Sequence, residues 1–201
     1  IARRIGLVWN YDGPREIHAE MQQCMPSMRH IPWDRLENED AVTYPCEAED
    51  QQGHEIIFGD GFPTATGLGR LVPAEILPPD ETPDADYPMI LTTGRLLEHW
   101  HTGAITRRAK KLNSLEPEPT VHVSPGDMAR MNLVPGEKVL VTTRRGKIHL
   151  AARQEPDMPD GLVFIPFCYA EAPANMLTNP ALDPFGKIPE LKFSAARLEK
   201  L

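Results

Sequence analysis

The chain has 201 residues, 41% of them hydrophobic, and a net charge of −8 from 29 Asp and Glu against 21 Lys and Arg. That length holds one domain or two small ones with a buried core, and the composition excludes global disorder. No apolar run approaches the roughly 18 residues of a membrane span, and the acidic balance argues against general nucleic-acid binding.

The chain opens Ile1-Ala2-Arg3-Arg4-Ile5 without an initiator Met or a signal peptide, and reads as the continuation of a longer element. Pro14 suits the first turn of a helix in which Ile17, Met21 and Cys24 fall on one face. Trp33–Leu36 reads as a packed turn and 37–52 as an acidic loop interrupted by Tyr44-Pro45-Cys46. A short strand is expected at Ile56-Ile57-Phe58, followed by a Gly-Asp-Gly turn. The run TATGLGR at 64–70 lacks the GxGxxG spacing of a dinucleotide loop. Cys24, Cys46 and Cys168 are three in number and widely spaced, which excludes a disulfide framework or a zinc or iron–sulfur site within the segment. Idle thiols of this kind fit a reducing, cytoplasmic compartment.

Residues 73–86 hold four prolines and five acidic residues, with Pro88 just beyond. Such a stretch reads as a stiff, solvated linker, and the domain boundary is expected there. Charge changes across it: residues 1–86 carry 6 Lys and Arg against 17 Asp and Glu, residues 87–201 carry 15 against 12.

Met89–Thr93 is a β-branched, apolar strand closed by Gly94. Arg95, His99, Trp100, His101 and Thr102 follow at once, then Arg107, Arg108, Lys110 and Lys111. A strand, a glycine and a cluster of donors is a common way to receive phosphate or pyrophosphate. A short helix is expected over 104–113 and a strand over 120–123. Ser124-Pro125-Gly126-Asp127 is a helix-capping signature, with Asp127 reaching back to the cap. Lys138–Thr143 and Ile148–Ala152 alternate around Arg144-Arg145-Gly146-Lys147 and predict a hairpin with a solvated basic tip. Leu162–Phe167 reads as a buried strand and Leu191–Leu198 as a final strand. Short strands with intervening helical turns suggest a small closed β-barrel.

The second part also resembles a known family. LTTGR at 91–95, HWHTG at 99–103 with TRR at 106–108, VSPGDMARM at 123–131 and GLVFIPF at 161–167 carry the likeness, as do APANMLTNPALDP at 172–184 and PELKFSAARLEK at 189–200. From about Tyr87 onward these motifs resemble the C-terminal molybdopterin-dinucleotide-binding domain of the molybdenum/tungsten oxidoreductases. Within that superfamily HWHTG, TRR and LEPEP are most similar to formate dehydrogenase alpha subunits. Residues 1–72 are similar to the tail of the preceding domain, through YPC at 44–46 and the glycine-containing run at 59–70.

The resemblance implies a mainly β fold with short helices, a double-psi β-barrel over 87–201, and enclosure of a bis-molybdopterin guanine dinucleotide holding Mo or W. It assigns cofactor contacts to Thr93, Gly94, Arg95, His99, Trp100, His101, Thr102, Asn175 and Lys192, with Arg95 as the clamp on pyrophosphate. Cys168 departs from the family's usual histidine or glutamine and receives no contact. The metal ligand, the catalytic histidine and arginine and the iron–sulfur cysteines of the family have no counterpart in this chain, so catalytic and metal-ligating residues are assigned to none here. Implied partners are the rest of the alpha subunit and electron-transfer subunits carrying iron–sulfur or flavin groups. Two rivals are the same domain of another superfamily member, such as an assimilatory nitrate reductase or the large subunit of a quinone-linked NADH dehydrogenase, and a double-psi barrel used as a protein-interaction module.

Overall fold

The computed structural model describes residues 1–201, which divide into two compact units, Ile1–Ala74 and Glu75–Leu201.

The first unit is built from short helices and turns. Helix α1 (Pro14–Cys24) starts on a proline, which gives up no hydrogen bond there. The apolar face expected on it is not buried: Ile17, Met21 and Cys24 are exposed, and the buried residue is His18, edge-on to Trp33. Helix α2 (Trp33–Glu39) contributes Arg35, which is buried and serves as the unit's polar hub. Its guanidinium donates to Glu39 and to the carbonyls of His30, Ala48 and Gln51, so one side chain ties down the acidic loop. The strand expected at Ile56–Phe58 is a turn instead, with Phe58 at φ 60° and its ring stacked on Phe62. Those three residues have no neighbouring strand to pair with, and β propensity alone does not make a sheet.

The second unit is a closed six-stranded barrel. Its strands are β1 (Met89–Gly94), β2 (Thr120–Val123), β3 (Lys138–Thr142), β4 (Lys147–Gln154), β5 (Leu162–Pro166) and β6 (Ser194–Lys200). They close in the order β1-β5-β2-β4-β3-β6. The β1–β5 and β2–β4 pairs are parallel and the other four are antiparallel. With the short helices α3 (Lys110–Leu115) and α4 (Pro125–Arg130) this is the double-psi β-barrel.

Alternation puts Met89, Leu91, Val139, Val141, Ile148, Leu150, Val163 and Ile165 inside, each 5% exposed or less. Each such side chain contributes about 1.5–3 kcal/mol of burial. The last strand begins at Ser194 and not at Leu191, because the Leu191 carbonyl is taken by the Thr93 hydroxyl at 2.9 Å. The helix expected over 104–113 is split into a 3₁₀ turn at Thr106–Arg108 and α3. Ala109 is extended between them, and Arg107 turns inward to pair with Glu171 at 2.6 Å. Ser124 caps α4 as expected, accepting from the Asp127 amide at 3.0 Å. Asp127 reaches back to the Ser124 hydroxyl at 3.1 Å and not to the cap amide; its carboxylate also takes the Gly161 amide at 2.7 Å and welds the helix to the start of β5.

The basic hairpin tip is not a free solvated turn. Arg144 pairs with Glu81 and Asp84, and Arg145 pairs with the same Glu81, whose side chain is 12% exposed. Asp84 also accepts the amides of Asp86 and Tyr87, and its carboxyl is held below the ordinary range chiefly by the Tyr87 amide. Residues 80–87 are therefore clasped to the barrel, whereas Ile76 and Leu77 stand in solvent. Limited proteolysis should cut at 71–79 and spare 80–87, and Glu81→Ala should open a new cut within 80–87. Equal cutting of both stretches in the unaltered chain would contradict the clasp.

His122 on β2 gives the barrel a pH dependence. Burial lowers its imidazole below the ordinary value, the Arg153 charge adds to that, and Glu155, 3.5 Å away, opposes it. The unfolded chain takes up this proton near about pH 6.5, while the folded one resists until lower pH. The unfolded state thus binds more protons in that window, so stability is full above it and falls as pH drops toward the folded value. His122→Phe should flatten this slope in urea midpoints measured between pH 7.5 and 5. The same slope in both proteins would count against it.

Candidate functional site

The register brings distant segments to one place. β1, β3 and β5 run in one direction and β2, β4 and β6 in the other, as the pairings require. The connections 95–119, 143–146 and 167–193 therefore all lie at the same end of the barrel. Every residue expected to touch a cofactor is at the end of β1 or in two of these connections.

β1 and β5 are parallel neighbours, with Gly94 opposite Pro166 and the Phe167 amide donating to the Gly94 carbonyl at 3.1 Å. Arg95 and Phe167 thus leave the sheet side by side. The Arg95 guanidinium lies 5.8 Å from the Phe167 ring centroid and 5.6 Å from that of Trp100. Arg95 makes no ion pair or hydrogen bond within the chain, unlike Arg107, Arg144, Arg145 and Arg153, which all hold carboxylates. An arginine framed by two rings and left without an anion is ready to receive one.

The 99–103 loop runs beside this position, and Arg95 itself is exposed. The Trp100 amide donates to the Thr106 hydroxyl at 3.0 Å, and the Gly103 amide to the Trp100 carbonyl at 2.9 Å. His101 is held at φ 52°, with its ring edge-on to Phe167 at 5.5 Å. Gly103 has φ 73°, and a side chain there would meet the Cys168 carbonyl at 2.7 Å. Trp100, His101 and Thr102 are exposed and Thr102 has no hydrogen-bond partner within the chain. His99 is different: it is fully buried, and its Nε2 donates to the Glu116 carbonyl at 2.8 Å. Thr93 is also buried, with its hydroxyl given to Leu191, and at Gly94 a Cβ would strike the Phe164 ring at 2.7 Å.

Asn175 and Lys192 are exposed, and their side chains make no contact of either kind within the chain. Their segments are nevertheless fixed. Gly146 packs against the Met176 carbonyl, where a Cβ would come within 2.7 Å, and the Leu177 carbonyl accepts from Thr143 and Arg145 at 3.0 and 3.1 Å. Asn179 donates to Glu190 at 2.8 Å and to Ser194 through its amide at 3.0 Å. Two exposed donors on braced loops thus share the barrel end with Arg95.

Reading the sequence alone missed Phe167 as a wall of the site and Tyr169 beneath it. Tyr169 is 1% exposed, burial pushes its phenol well above the ordinary value, and Arg107 lies over its ring at 4.8 Å. The signal for Phe167 was its place at the end of an apolar run that could pair in parallel with β1. Cys168 is buried and burial raises its thiol, so it offers no thiolate to this end. No group of three or more His, Cys, Asp or Glu side chains is arranged to hold a metal ion, and no helix is long and apolar enough to cross a membrane.

The arrangement is chemically an anion and heterocycle cradle: an unpaired guanidinium, stacking rings, and amide and ammonium donors at the rim. Residues 89–195 match the family described as "Molydopterin dinucleotide binding domain". The chain is 41% identical over 193 residues to the F420-dependent formate dehydrogenase subunit alpha of Methanocaldococcus jannaschii, covering 96% of this chain and 28% of that protein. It is 38% identical over 196 residues to the F420-dependent formate dehydrogenase 1 subunit alpha of Methanococcus maripaludis, covering 98% and 29%. The chain thus spans less than a third of the curated relatives it matches. Among solved structures, acetylene hydratase from Pelobacter acetylenicus shares the fold at a TM-score of 0.52 and 23% identity, over 58% of this chain and 19% of that one. With the motifs, the barrel and the matched span in agreement, the chain belongs to the molybdopterin dinucleotide binding domain family.

Proposed function

We propose that this chain binds and encloses a bis-molybdopterin guanine dinucleotide carrying Mo or W, as part of a formate dehydrogenase alpha subunit. The observation that carries the reading is Arg95, an arginine with no anion of its own, held between Trp100 and Phe167 at the barrel end. The identity to formate dehydrogenase alpha subunits over nearly the whole chain supports the choice of enzyme.

The residues present fit such a group. Arg95 offers a planar fork of charged donors for a pyrophosphate, which a carboxylate inside the chain would otherwise have claimed. His101 and Thr102 add exposed polar atoms, Asn175 an amide that both donates and accepts along a heterocycle edge, and Lys192 a point charge. Thr93 and Gly94 set the strand end that lets the group approach, and the Trp100 and Phe167 rings flank the exposed guanidinium. When bound, the metal–pterin group supplies the two-electron chemistry that turns formate into carbon dioxide. The ligand to the metal and the iron–sulfur cluster belong to the remainder of the alpha subunit, and electron-carrying subunits with iron–sulfur or flavin groups complete the path.

The test is made on the full-length protein. It should release guanine nucleotide on acid denaturation, contain molybdenum or tungsten, and oxidise formate with reduction of coenzyme F420 or a dye. The 201-residue chain alone should not oxidise formate. Absence of guanine nucleotide from active, metal-loaded protein would refute the dinucleotide reading, and nitrate reduction without formate oxidation would move the chain to the nitrate reductases.

A further inference from the structure

One backbone carbonyl collects two buried side chains beneath the 99–103 loop. The Glu116 carbonyl accepts from His99 Nε2 at 2.8 Å and from the Tyr169 hydroxyl at 3.0 Å. A carbonyl oxygen has two lone pairs, and both are in use. The two rings meet edge-on, with centroids 5.9 Å apart and planes at 84°. A carbonyl can only accept, so His99 carries its proton on Nε2. Its Nδ1 is buried and has no partner, closed off from anything that binds at the surface.

The node is fixed from both sides. The Glu116 carboxylate forks onto Arg153 of β4 through two hydrogen bonds of 2.8 and 3.0 Å. Tyr169 is covered by Arg107, which pairs with Glu171 at 2.6 Å and donates to Asn113 at 3.2 Å. His99 is followed directly by Trp100 and His101, whose rings stand against Arg95 and Phe167. Fixing His99 therefore fixes the backbone from which both exposed rings project.

We infer that the Glu116 carbonyl, with His99 and Tyr169 as its two donors, is the positioning node of the cradle. His99 serves the site through Trp100 and His101 and does not touch the bound group. This rests on the reading of Arg95 as the anion clamp.

Three variants of the full-length protein test it. His99→Gln keeps an amide donor where Nε2 stands, His99→Leu keeps only volume, and Tyr169→Phe removes only the second donor. Each is read by metal per polypeptide and by amide hydrogen exchange, comparing peptides over 97–104 with peptides over β2 and β3. His99→Leu and Tyr169→Phe should speed exchange over 97–104 by about tenfold, leave the strands unchanged and lower metal content. His99→Gln should stay within about twofold of the unaltered protein in both measurements. A merely structural role would move the strands as well. His99→Gln as depleted as His99→Leu would overturn the inference, because the imidazole itself would then be needed. Unchanged exchange over 97–104 in Tyr169→Phe would overturn it too, and that variant decides if His99→Leu does not fold. The clamp reading fails separately, on full metal content in Arg95→Ala, while the exchange data judge the node alone.

Discussion

Arg95→Ala is expected to empty the site. The guanidinium is held by two rings and has no carboxylate of its own, so the chain maintains an unpaired cation at the barrel end. A charge-assisted hydrogen-bonded pair contributes roughly 1.5–3 kcal/mol, and removal costs more when the other partner is left buried and unpaired. Metal per polypeptide in the full-length protein should therefore fall by about tenfold to a hundredfold at limiting cofactor. Arg95→Lys should recover part of this, since an ammonium restores charge without the paired geometry. Lys138→Ala, at the far end of β3 and only 3.8 Å from Glu118 in an exposed pair, is the appropriate control and should retain full metal. Arg144 is unsuitable, because its side chain is engaged with the acidic clasp. Full metal in Arg95→Ala, or an equal loss in Lys138→Ala, would defeat the assignment.

Gly103→Ala should cause the second large loss. At φ 73° an L side chain costs roughly 1–2 kcal/mol by itself. The new Cβ would also stand 2.7 Å from the Cys168 carbonyl, a backbone atom that cannot swing aside. The loop must then lift from the end of β5, carrying His101 away from Phe167. Gly136→Ala isolates the first of these effects, since Gly136 has φ 87° and nothing within 4 Å of a Cβ. The urea midpoint should drop further in Gly103→Ala than in Gly136→Ala, and only Gly103→Ala should lose metal. Equal midpoints in the two variants would show that the Cys168 contact is not felt.

Much of the barrel was legible because its cues are local. The alternation around Arg144–Lys147, the Ser124 cap with Pro125 behind it, and the strand ending at Gly94 each depend on neighbours in sequence. That Arg95, Trp100, His101 and Thr102 share one end of the barrel was legible by a different route, since a strand, a glycine and a run of donors must cluster wherever the strand ends. What could not be read were contacts made across long separations. His99 looked like a surface donor beside Trp100 and His101, yet it turns inward to a carbonyl 17 residues away. Arg107 looked like part of a basic helix and instead breaks that helix to meet Glu171, 64 residues on. Glu81 and Asp84 looked like linker charge until the β3–β4 hairpin brought Arg144 and Arg145 against them. In the first unit the periodicity of α1 suggested Ile17 and Met21 as its packed face, whereas the buried residue is His18. Pattern alone locates an amphipathic face only when a partner covers it.

The most direct measurement is an experimental structure of the loaded full-length enzyme, read at one place. A phosphate oxygen of the dinucleotide should lie within about 2.7–2.9 Å of the Arg95 guanidinium, the usual reach of such a pair. Trp100 and Phe167 should still flank it, and His99 should still face the Glu116 carbonyl. A dinucleotide seated at the opposite end of the barrel, near Ser124 and Arg130, or an Arg95 left in solvent beside a fully occupied site, would contradict the account.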